Sequence, residues 1–173
     1  MLCYRRIVEF RSCNCAKKDN AMIKNILVTT DLSEESKVAF PVAVELATAM
    51  DCRVDLLAII EDPAQAAMLY AMDFPVAPVP DIQEQLKQQV EKEIAALASQ
   101  YFESVTCHTH VRAAAGPIHT EILDFANDRD VDLIIIATHG RTGISRLLIG
   151  SITERVLRHA VCPVLTVPVS RKK

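Results

Sequence analysis

Two nearly continuous apolar runs, Val54 to Ile60 and Val131 to Ala137, restrict this fold more than any other feature. A strand with one wet face alternates apolar and polar residues, whereas a run apolar on both faces suits a parallel sheet covered by helices on both sides. Three further segments read as strands: Lys24 to Thr30, Val105 to Val111 with its alternation at 105, 107, 109 and 111, and Val164 to Val167. Between them lie segments of helical period. Val38, Val42, Leu46 and Met50 mark a helix over Glu34 to Met50, with Ser33 as its N-cap and a kink expected at Pro41. Ile82, Leu86, Val90, Ile94, Leu97 and Tyr101 mark the apolar face of a helix over Asp81 to Tyr101. Gly116-Pro117 introduces a third helix over Ile118 to Asn127, and a fourth runs from Ser151 to about Ala160. The alternation predicts a three-layer α/β/α sandwich, Rossmann-like, with a five-stranded and mainly parallel sheet and right-handed crossovers. Ligands of such sheets bind beyond the carboxyl ends of the strands, where strand order reverses. That rule selects the loops at Asp31, Glu61, Gly116 and Thr138 to Gly150.

The 173 residues suit one domain, predicted over 22–173. Residues 1–21 carry five basic against two acidic side chains and no long apolar run, so no secretory signal is read there. They are expected to be a disordered extension, or to precede the true start at Met22, and the protein is expected to be cytoplasmic. The net charge of −3 and pI near 5.9 argue against phosphate-neutralising contact with nucleic acid. With 5% aromatics and no Trp, a base-stacking platform is also disfavoured. No segment has the length of a membrane span. Six cysteines, at 3, 13, 15, 52, 107 and 162, form neither a CxxC pair nor a zinc spacing. Cys52, Cys107 and Cys162 are read as reduced core hydrophobes. His108 and His110 share a face of the third strand, but two imidazoles alone make no metal site.

Only four glycines occur in the chain, and Gly140, Gly143 and Gly150 fall within eleven residues. Such concentration calls for unusual backbone angles or close backbone approach in that loop. Gly150-Ser151 opens a helix, whose unpaired first-turn amides attract anions, and Arg141 and Arg146 add charge nearby. Equally, these glycines could merely shape a tight loop, with Ser151 as an ordinary cap. Other phosphate and catalytic signatures are missing. No glycine follows the first strand, so the dinucleotide fingerprint is absent, and no Walker A, GxSxG or HExxH sequence occurs.

From Met22 to Val169 the chain resembles the universal stress proteins of the UspA superfamily. The resemblance rests on Lys24-Asn25-Ile26-Leu27-Val28-Thr29-Thr30-Asp31-Leu32-Ser33, on Gly116-Pro117, and on Ala137-Thr138-His139-Gly140-Arg141-Thr142-Gly143 followed by Leu147-Leu148-Ile149-Gly150-Ser151 and Cys162-Pro163-Val164-Leu165. ATP-binding members carry G-x2-G-x9-G followed by Ser or Thr. Gly140, Gly150 and Ser151 match, while Ala137 replaces the first glycine. Alanine there costs little if its backbone is ordinary and costs affinity if the site needs positive φ.

The resemblance implies an adenine nucleotide alpha hydrolase-like fold and an ATP site with Mg2+ as counter-ion. Asp31, beside Thr29 and Thr30, would lie near the ribose or a phosphate-bound metal, and Ile59 would meet the adenine edge. Ile136 and Ala137 would flank the nucleoside, while Gly140, Arg141, Gly150, Ser151 and Ile152 would hold the phosphates, with His139 in a minor binding role. Family members pair through the last strand, which implies a homodimer interface at Val164, Leu165, Thr166 and Val167. The implied function is a nucleotide-binding stress or signalling module acting on an unidentified protein partner. A slow ATPase or autophosphorylating protein, and a nucleotide-free dimeric interaction module, are the alternatives.

Overall fold

The computed structural model describes residues 23–61, 80–139 and 149–169. The expectations for residues 1–21 and for Gly140, Arg141, Gly143 and Arg146 lie outside the described residues. Five strands form one sheet: β1 (Asn25–Thr30), β2 (Arg53–Ile60), β3 (Cys107–Ala113), β4 (Leu133–Ala137) and β5 (Val164–Val167). The described helices are α1 (Ala39–Met50), α2 (Pro80–Tyr101), α3 (Ile118–Asp128) and α4 (Ser151–His159). The strand order is β3-β2-β1-β4-β5, and all four pairings are parallel. The chain steps outward from β1 to β3 and then returns to β1's other side, so strand order reverses between β1 and β4.

Period-2 alternation sends the odd and even residues of the central strands into different layers. Ile26 and Val28 of β1, Val54, Leu56 and Ala58 of β2, and Leu133 and Ile135 of β4 pack against α1 and α2. Leu27, Leu57, Ile134 and Ile136 pack on the opposite face against Ile122 and Phe125 of α3 and Val156 of α4. This double coverage is the physical reason that the runs around β2 and β4 are apolar almost throughout, with Asp55 the buried exception in β2. Under α1 and α2, Phe40 packs edge-on to Tyr101 and tilted to Phe102, each at 5.3 Å between ring centroids. Full burial of a side chain such as Phe40 is worth about 2–3 kcal/mol.

The first helix departs from the sequence reading in two respects. Its α-helical part begins at Ala39, after a 3-10 turn over Ser36–Val38, so Pro41 sits in the first turn, where its missing N–H would have no helical partner. A kink at Pro41 is therefore not required. The buried stripe is Ala39, Phe40, Ala43 and Ala47, not the expected Val38, Val42, Leu46 and Met50, and Met50 is exposed. Small alanines seat the helix close to the sheet, leaving the larger aliphatics to its flanks. Ser33 does accept the Ser36 N–H at 3.2 Å, but Glu35 and Val38 are the N-caps of the 3-10 turn and of α1, so Ser33 caps neither.

The three described cysteines carry free thiols. Burial, then the Asp55 carboxylate, pushes the Cys107 thiol up to about 11, so it stays protonated and unreactive at neutral pH. Buried Cys52 donates to the Ile23 carbonyl at 2.8 Å, and its thiol is likewise raised, first by burial and then by Asp132 and Asp51. Among the described residues, no helix is long and apolar enough to cross a membrane.

Candidate functional site

A crevice opens where the strand order reverses, at the carboxyl ends of β1, β2 and β4. Thr29, Thr30 and Asp31 line it from β1, Leu57 and Ile59 from β2, and Ile136, Ala137 and His139 from the end of β4. Ile118 and Ile122 of α3, Ile152 and Thr153 of α4, and Ser36 complete the wall. The walls are mostly aliphatic, with hydroxyl and carboxylate groups at one side, a combination that suits a flat apolar ring carrying a polar tail.

The polar side is held by the loop after β1, in which Leu32 has φ 66°. A branched side chain rarely accepts this left-handed conformation, and a network of short bonds holds it. The Leu32 N–H donates to Thr30 Oγ1 at 3.0 Å, and Ser36 Oγ donates to the Ser33 carbonyl at 2.9 Å. With its hydrogen so committed, Ser36 Oγ accepts in the 2.8 Å contact with Thr30 Oγ1, which fixes the proton order along the chain. Asp31 Oδ1 accepts the Ser33 N–H at 3.1 Å and the Ser33 hydroxyl at 2.5 Å. The Asp31 carboxylate is thereby set at the rim of the crevice by its own loop.

The opposite side is built by the end of β4 and the start of α4. Ala137 is the last residue of β4, buried and in ordinary extended backbone, and the described non-glycine residues of positive φ are Leu32, Asp51 and Asp130. The replacement of glycine by Ala137 therefore strains nothing in the backbone. Its carbonyl accepts the buried Thr153 hydroxyl at 2.9 Å, which ties the first turn of α4 to the sheet. Thr138 accepts through its carbonyl the Gly150 N–H at 2.8 Å, so the two ends of the glycine loop are clasped together. Gly150 caps α4 with φ −57° and ψ 148°, angles open to any residue. Its absent side chain matters for another reason: a Cβ there would lie 3.0 Å from the Thr138 carbonyl oxygen. Of the two needs read from the glycine count, Gly150 answers to close approach. The first-turn amides of Ser151, Ile152 and Thr153 have no partner within α4. Ser151 is the exposed first residue of α4 and not its cap.

Of the residues read from the sequence, Thr29, Thr30, Asp31, Ile59, Ile136, Ala137, His139 and Ile152 all line one crevice. Gly150 and Ser151 adjoin it at the start of α4 without lining it. His139 is half-buried, with Nδ1 3.0 Å from Thr138 Oγ1. Ser36, Leu57, Ile118, Ile122 and Thr153 were missed. Leu57 was legible as the residue two before Ile59 on the same strand face, and Ile118 as the first residue after Gly116-Pro117; the other three depend on helix placement. A methyl group at Gly116 would meet nothing within 4 Å, so sterics do not demand a glycine there.

His110 does not belong to this site. Its Nε2 donates to Asp55 Oδ1 at 2.8 Å on the sheet's face beneath Phe125, whose ring lies 4.9 Å away. Among the described residues no group of three His, Cys, Asp or Glu side chains is arranged to hold a metal.

The sequence profile of the Universal stress protein family matches residues 22–168. Universal stress protein MJ0531 of Methanocaldococcus jannaschii is 28% identical over 152 residues, covering 88% of this chain and 86% of its own. Universal stress protein A homolog 2 of Coxiella burnetii is 34% identical over 145 residues, covering 83% of this chain and 94% of its own. Among solved structures, hypothetical protein MJ0577 superposes with a TM-score of 0.71 at 25% identity, over 87% of this chain and 99% of its own. The universal stress protein from Archaeoglobus fulgidus in complex with dAMP shares the fold, with a TM-score of 0.56 at 18% identity, over 84% of this chain and 98% of its own.

Proposed function

Because the chain belongs to the universal stress protein family, we propose that its crevice binds an adenine nucleotide, with ATP and Mg2+ as the working pair, and that occupancy controls association with a protein partner. One observation carries this reading. The aliphatic walls from Leu57, Ile59, Ile118, Ile122 and Ile136, the Asp31 carboxylate and the open first turn of α4 converge on one crevice at the strand-order reversal. A planar base would sit between the aliphatic walls, a ribose near Thr29, Thr30 and Asp31, and phosphates toward Ser151 and Ile152. The amides at the start of α4 suit negative charge, and Gly150 lets the end of the glycine loop close on Thr138 beside them. In this reading Asp31 would share a magnesium ion with phosphate oxygens. The dAMP held by the Archaeoglobus fulgidus protein is compatible with this, since the two share their fold. Among the described residues β5 has β4 on one side only and carries no charge along Val164 to Val167, so we propose that a second copy pairs with its open edge.

The test is calorimetric titration of ATP, with and without Mg2+, into nucleotide-stripped protein. Saturable binding is expected, with loss of at least about 100-fold in Gly150→Asp, where a carboxylate enters the phosphate region. Thermal unfolding of the variant shows whether the loss is local. A folded wild-type protein silent to ATP, AMP and GTP would leave the nucleotide-free interaction module as the function.

A further inference from the structure

The ridge between α3 and α4 borders the crevice at Ile152 and otherwise carries features that the crevice does not use. Ile152, Arg155 and His159 recur at i, i+3 and i+7 and so form one stripe down α4. Ile149 and Ile152 are among the exposed large aliphatics, at 44% and 37%. Across from the stripe, on α3, the His119 ring lies 6.5 Å from the His159 ring, centroid to centroid. Burial, then Arg155 and His159, lowers the His119 imidazole below its ordinary range, which places Arg155 within electrostatic reach of it.

The acidic groups of both helices are directed elsewhere. Glu154 takes Arg158 at 2.7 Å, Glu121 accepts the Ala115 N–H at 3.0 Å, and Asp128 takes Arg112 at 3.1 Å. Asp124 is five positions on from His119, about 140° round the helix. Among the described residues, Arg155 therefore faces two imidazoles and no carboxylate.

We propose that this ridge, with Ile149 and Ile152 above and Arg155, His119 and His159 below, docks an acidic peptide segment bearing apolar residues about one helical turn apart. The aliphatics would bury the partner's apolar side chains, and Arg155 with the two imidazoles would take its carboxylates. Charge complementarity to Arg155, which faces no carboxylate among the described residues, selects an acidic occupant over a basic one. Ile152 also lies where the proposed nucleotide phosphates would sit, so the test uses nucleotide-free protein, in which nothing competes for it.

The probe is a fluorescein-labelled synthetic helical peptide with Leu every three to four residues and Glu at the flanking positions, followed by fluorescence anisotropy with the full chain. Expected is saturable binding that weakens with added salt and falls at least about 10-fold in Arg155→Glu, with Arg155→Ala intermediate and Arg158→Glu unchanged. In NMR titrations, a carboxylate between guanidinium and imidazole favours the imidazolium, so bound peptide should move the His119 midpoint upward. Three results would overturn the proposal: no saturable binding to folded protein, equal losses in Arg155→Glu and Arg158→Glu, or a change of sedimented mass in Arg155→Glu, which would make the ridge a contact between copies.

Discussion

The two ends of the sheet hold similar polar residues and use them in opposite ways. Beyond the carboxyl end of β1, Thr30, Asp31, Ser33 and Ser36 bond to one another within one loop, and the aliphatic walls beside them stay open as a crevice. At the amino end the polar groups bond across elements and close it. Asp132 Oδ2 accepts the N–H groups of Lys24 and Asn25 at 2.9 and 3.0 Å, Asn25 Nδ2 donates to the Arg129 carbonyl at 3.1 Å, and Asp55 meets His110. Phe125 lies over the sheet face beside His110, with the Arg112 and Arg129 guanidinium groups 4.9 and 5.4 Å from its ring centre. The contrast shows where a parallel sheet leaves room for a site. Strand order reverses between β1 and β4, and the loops leaving their carboxyl ends diverge to opposite layers, so a gap opens between them.

If the amino end is structural, breaking it should cost stability and spare ligand binding. His110→Ala would strip the almost fully buried Asp55 of its short bond, leaving the Arg53 guanidinium at 4.0 Å, and should lower stability by about 3 kcal/mol. Urea unfolding measures this, and nucleotide affinity should be unchanged. Thr153→Val at the carboxyl end removes the bond to the Ala137 carbonyl at nearly constant volume; a loss of about 1 kcal/mol is expected in thermal unfolding, with a several-fold weaker nucleotide complex. The smallest effect belongs to Ala137→Gly. Since Ala137 lies in extended backbone, restoring the family's glycine should cost about 0.5–1 kcal/mol and leave affinity unaltered. A marked gain in affinity by calorimetry would instead show that the methyl group presses on the ligand.

Periodicity made the five strands legible to within about two residues, because burial on both faces writes itself into composition. The helical faces were less legible. The stripe Val38, Val42, Leu46 and Met50 has the right period, yet Phe40, Ala43 and Ala47 are the residues that meet the sheet. Alanine is too weakly hydrophobic to outvote valine in a pattern, and too useful in close packing to be displaced by it. Most of the crevice lining was legible from motif and topology, since Asp31, Ile59 and Ile136 sit at or near strand ends. Ser36, Ile122 and Thr153 were not, because their part in the wall depends on how helices and turns lie across the sheet.

The layer architecture, the parallel sheet and the family all follow from local patterns of burial and from short motifs, and these can be read along the chain. That Ala137 is unstrained, that Gly150 serves close approach to Thr138, and that His110 belongs to Asp55 emerged from the folded molecule alone. Backbone angles answer to the whole surrounding packing, and the two contacts join residues distant in the chain. No local pattern of side chains encodes the distance across which they meet.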